Sequence, residues 1–105
     1  MSKFTAVIVP ALEQGDCYVQ ELDGYKQIQA KVDGTFDVVR CEFMGHTLSI
    51  YDNDEGLIFG LPTNIVVSLI AHRRLVGDAV IAGGVSPDGE QLSVPESLIP
   101  HLVEI

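Results

Sequence analysis

The chain has 105 residues, 47% hydrophobic and 20% charged, and its six Lys and Arg against fifteen Asp and Glu give a formal charge of −9. That length makes one domain around one core, and the composition is too apolar for a chain held disordered by its own charge. So negative a field disfavours direct binding to nucleic acid or to anionic lipid, because both need clustered cations and Arg73-Arg74 is the only basic pair.

Cys17 and Cys41 lack the spacing of a redox or zinc motif, which predicts reduced thiols in a cytoplasmic protein. The N-terminal apolar run stops at Pro10, too short for a signal-peptide core, and no run approaches the roughly 20 residues of a membrane helix.

In chain order, residues 4–9 are rich in β-branched side chains and read as a strand buried on both faces. Residues 17–21 read as a short edge strand after a turn at Gly15-Asp16. Leu22, Tyr25, Ile28 and Val32 recur at helical spacing, with Asp23 as cap and Gly34 as stop. Tyr25 is expected at the core or its rim. Residues 36–43 and 47–51 then form an antiparallel hairpin, since the short link Met44-Gly45-His46 leaves no room for a crossover.

An acidic turn, Asp52-Asn53-Asp54-Glu55-Gly56, ends the hairpin, and residues 57–59 read as a short strand or extended connector. Pro62 prepares a second helix capped by Thr63 or Asn64, with Arg73 and Arg74 placed near its C-terminus where the helix dipole favours positive charge. Residues 79–82 are a last buried strand. Ser93 and Glu96 suggest a capping box, and Pro100 limits the helix it opens.

These elements predict a two-layer α+β domain. Its mixed sheet has four to five strands with two main helices on one face, an order that allows the ferredoxin-like split β-α-β arrangement. Residues 1–86 form the core domain, and residues 87–105 form a short helical appendage that packs on the core or on a partner.

Four stretches in this order carry a family resemblance: Val7-Ile8-Val9-Pro10, residues 28–38 with Gly34, the turn at residues 53–56 leading to Gly60-Leu61-Pro62-Thr63-Asn64, and residues 76–84. Over residues 7–84 the chain resembles the family of small phage and plasmid proteins catalogued as domain of unknown function 3846. The resemblance implies a phage or mobile-element origin and a setting in the host cytoplasm. It assigns no activity and supplies no catalytic residues. Members usually carry arginine after the asparagine, where this chain has Ile65, so any polar role of that arginine is lost or passes to Arg73 or Arg74.

No pattern for bond-making chemistry stands out. Asp52, Asp54 and Glu55 lack the further ligands of a calcium loop, because Phe59 and Leu61 stand where oxygens are needed. His46, His72 and His101 lack zinc spacing, and nothing places Cys17 or Cys41 beside one of them as a nucleophile pair. The glycine pairs lack the lysine of a phosphate loop.

The sequence therefore predicts no cofactor, no metal and no enzyme. It favours an interaction protein that binds a host or phage protein through Asp52, Asp54, Glu55, Leu98, Leu102 and Ile105. The alternatives are an acidic DNA mimic using Asp33, Asp37, Asp52, Asp54 and Glu55, a self-assembling structural protein, and a small-ligand binder or enzyme near Gly60-Leu61-Pro62.

Overall fold

The structure, a computed structural model, describes residues 3–11 and 16–103. The turn expected at Gly15-Asp16 therefore lies partly outside them, and Ile105 lies outside entirely. Five strands appear in chain order as β1 (Lys3–Val9), β2 (Tyr18–Asp23), β3 (Phe36–Phe43), β4 (His46–Asn53) and β5 (Ala79–Ala82). Helix α1 (Tyr25–Val32) lies between β2 and β3, and α2 (Ile65–Ala71) between β4 and β5. A 3-10 turn (Glu96–Leu98) runs into α3 (Ile99–Val103). The α+β class, the strand number and the C-terminal helical segment agree with the sequence reading.

The sheet has the order β2-β1-β5-β4-β3. Each of its four ladders is antiparallel, so it is not the mixed sheet expected. Nor is it the split β-α-β order, because β5 lies between β1 and β4. The reason is β2, which pairs with β1 from Lys3↔Asp23 to Ile8↔Tyr18 and reverses the chain before α1 begins. From that edge, α1 crosses beneath the sheet to reach β3 at the opposite edge.

The helices also occupy opposite faces. Alternation along the strands sends Val7, Val9, Leu48, Ile50 and Ile81 into one cluster with Val67 and Ile70 of α2. Phe4, Ala6, Ile8, Tyr51 and Val80 enter a second cluster with Ile28 and Val32 of α1. Two layers become three because β1 and β5 are apolar at successive positions and need cover on both sides.

The C-terminal segment is stitched to the sheet. Val94 N–H donates to Thr5 O (2.9 Å), and Gly83 N–H donates to Leu92 O (3.1 Å). The Ser93 hydroxyl accepts from Thr5 N–H (2.9 Å), so it does not close the expected capping box. Tyr51 donates its hydroxyl to Gln91 Oε1, and Gln91 Nε2 donates to the Gly83 and Gly84 carbonyls. Val94, Leu98 and Leu102 belong to the α2-side core.

The helix ends differ in detail from the sequence reading. Leu22 is a buried β2 residue, α1 starts after Gly24, and Asp33 itself takes the left-handed cap at φ 61°. Pro100 lies inside α3 and does not limit the helical segment, which runs on to Val103.

Candidate functional site

Residues 53–64 join the hairpin to α2, and a buried asparagine pins each end. Asn53 Nδ2 donates to the carbonyls of Val32 (3.0 Å) and Asp33 (3.1 Å), satisfying the C-terminal end of α1. Its Oδ1 accepts from Glu55 N–H (2.8 Å). Gly34, at φ 152°, makes room for this amide, because a Cβ there would lie 2.9 Å from Asn53 Nδ2.

Asn64 caps α2, accepting from Val67 N–H (3.4 Å), while its Nδ2 donates to Val9 O (2.9 Å) and Gly77 O (3.0 Å). Of the two caps expected, Asn64 is the one used. Thr63 instead accepts from Arg74 Nε (3.0 Å).

Between these anchors the backbone closes on itself. Leu61 N–H donates to Gly56 O (2.9 Å) and Phe59 N–H to Glu55 O (3.0 Å), so residues 57–60 form consecutive turns rather than the expected strand or connector. Gly56 is buried under the loop, where a Cβ would meet Val76 Cγ2 at 2.6 Å. Leu57, Ile58 and Phe59 are left 71%, 80% and 64% exposed. Sequence reading missed them as site residues. The available signal was Gly56 and Gly60 bracketing an apolar triplet too short to span a sheet.

Beside this loop is a small cleft of 100 Å³ lined by Asp37, Asp52, Asp54, Leu57, Arg73 and Arg74. Asp37 and Asp52 are cross-strand partners, and Asp52 is buried. Burial, then the Asp37 charge, push the Asp52 carboxyl up to about 6, with Arg73 pulling it back. Arg73 and Arg74 follow the left-handed cap of α2 at His72, outside its last turn, and line this cleft instead of the helix end expected for them.

The residues predicted as one interaction surface fall apart. Asp54 and Glu55 are exposed beside the apolar loop, whereas Asp52 is mostly enclosed. Leu98 and Leu102 are buried in the chain's own core, so neither is at the surface; a C-terminal helix that packs inward buries the residues that would serve a partner. Ile105 lies outside the described residues.

Among the described residues no group of three His, Cys, Asp or Glu could hold a metal ion. His46, His72 and His101 are exposed on separate elements. Burial pushes both thiols above their ordinary range, aided by Asp16 at Cys17 and by Glu42 at Cys41, the opposite of the lowered value that marks an activated nucleophile. The Gly60-Leu61-Pro62 step borders a largely apolar cavity of 210 Å³ lined also by Val32, Asp33 and Asp78, where Asp78 accepts from Ala11 N–H (2.9 Å). Among the described residues no helix is long and apolar enough to cross a membrane.

The family model described as "Domain of unknown function (DUF3846)" matches residues 5–104, and the chain belongs to that family. No curated protein matches the sequence. Among solved structures, the chain is similar to part of the crystal structure of small RNA methyltransferase HEN1, at 16% identity and a TM-score of 0.61. The match covers 88% of this chain and 15% of that one, so it is a likeness of fold.

Proposed function

We propose that this chain is a non-enzymatic interaction protein of a phage or mobile element, which binds a host or phage protein through the loop tip at Leu57, Ile58 and Phe59. The observation that carries this reading is three consecutive large apolar side chains, each more than 60% exposed, on a loop whose ends are tied into the core. Contiguous apolar surface of this kind marks a place where another molecule docks. Burying each side chain contributes about 1.5–3 kcal/mol, which anchors a complex once the cost of association is met.

Charge narrows the partner. Asp54 and Glu55 flank the triplet on a chain of net charge −9, so the matching surface is an apolar pocket with a Lys- or Arg-rich rim. Glu55 and Asp54 steer the encounter while the apolar tip sets the lifetime of the complex. The acidic DNA-mimic reading has less support, because Asp52 is enclosed and Arg73 and Arg74 share a cleft with Asp37, Asp52 and Asp54.

Affinity capture from the host with the wild-type chain and with Leu57→Ser/Ile58→Ser/Phe59→Ser, run side by side, tests the proposal. The expected result is a protein retained by the first and lost by the second, with unchanged circular dichroism. The same set of proteins on both would overturn it.

A further inference from the structure

Strand β3 lies at one edge of the sheet. The β3–β4 hairpin closes through two residues, Met44 and Gly45, at φ 51° and 81°, the mirror-image turn that suits strand twist. Phe43 and His46 are therefore a hydrogen-bonded pair, and alternation makes Cys41, Val39 and Asp37 the residues whose peptide groups face β4. The peptide groups of Glu42, Arg40 and Val38 face outward from the sheet.

We propose that β3 pairs antiparallel with β3 of a second copy, placing Arg40 of each chain opposite Glu42 of the other and joining two five-stranded sheets. Paired residues must share a face, which limits the two-fold registers to those centred on a single residue. Centring on Arg40 or Glu42 sets like charges against each other. Centring on Val39 leaves Arg40 opposite Val38 and Glu42 opposite Phe36. The register centred on Cys41 satisfies both charges, and there Arg40 and Glu42 are also the residues with outward peptide groups.

On the other face the same register puts Val39 opposite Phe43 and Cys41 opposite its own copy. Phe43 and Leu69 line an apolar groove of 230 Å³ on that side, and Leu69 is 66% exposed. Arg40 Nε donates to Ser49 Oγ (3.3 Å) and Glu42 accepts from Thr47 Oγ1 (2.8 Å), contacts that leave the guanidinium further donors and the carboxylate further acceptor sites. The opposite edge offers no such match, because the charges of β2 are Glu21 and Asp23, both acidic.

Sedimentation over a range of concentrations tests the pairing. The wild type should form a dimer that dissociates on dilution, and Arg40→Glu or Glu42→Arg alone should weaken it about tenfold or more. An equimolar mixture of those two variants restores both ion pairs and should associate as the wild type does. Diamide oxidation should link the dimer through Cys41, with Cys41→Ser abolishing the link. A wild type monomeric at millimolar concentration, or a mixture no tighter than either variant alone, would overturn the proposal, including the case in which another protein's strand takes this edge. The inference does not rest on the loop tip, since the Leu57/Ile58/Phe59 variant should dimerise unchanged.

Discussion

The ends of residues 53–64 and their middle obey opposite rules. At the ends, two neutral amides are buried and every polar group they meet is satisfied. In the middle, three large apolar side chains stand in water while their backbone closes its own hydrogen bonds. Burial thus follows hydrogen bonding here rather than hydropathy, which separates a structural frame from a surface kept for something else.

The frame breaks most readily at Asn64. Asn64→Ala takes the amide donor away from the buried Val9 and Gly77 carbonyls and removes the α2 cap, at a combined cost of about 3 kcal/mol. Asn53→Ala should cost less, about 2 kcal/mol, because one of its two acceptors is only partly buried. Urea unfolding of both variants checks the order, and equal losses below 1 kcal/mol would remove the distinction between frame and tip.

Much of this frame was legible in the sequence. Two tight turn residues between alternating runs dictate the β3–β4 hairpin, and a Pro-Thr-Asn step dictates where α2 starts. The faces were misread: the sequence reading put both helices on one face, although strands apolar at successive positions demand cover on both sides, a demand that helices on one face cannot meet. What pattern alone does not carry is long-range pairing. Whether Leu98 and Leu102 meet a partner or their own core depends on Val94 reaching Thr5, 89 positions away in sequence. Likewise Leu57, Ile58 and Phe59 have strand-forming side chains, and only the buried Gly56 and its bond to Leu61 turn them outward.

Asp52 sharpens the contrast by setting a buried carboxylate next to a buried amide. Its folded-state carboxyl, at about 6, lies above the ordinary aspartate value of 3.8, so the folded chain binds the proton more tightly than the unfolded one. The ionised form therefore costs stability above pH 6, and that cost disappears as pH falls towards 4. Asp52→Asn should stabilise the protein by about 1–2 kcal/mol at pH 8, discounted for partial solvent screening, and by nothing near pH 4. Melting temperatures at the two pH values measure it, and a gain that persists at pH 4 would show that packing rather than charge is responsible.

The smallest effect belongs to the tip. Leu57→Ser/Ile58→Ser/Phe59→Ser removes large apolar area, but that area is already in water, and the bonds holding the loop run between backbone groups that serine keeps. The change in unfolding free energy should stay within about 0.5 kcal/mol, the range of ordinary surface substitutions. A loss above 2 kcal/mol would mean that the triplet supports folding, and the loop would then belong to the frame. A neutral result combined with loss of the captured protein is the outcome that a buried structural role cannot produce, because a core residue changed to serine gives up stability before it gives up a partner.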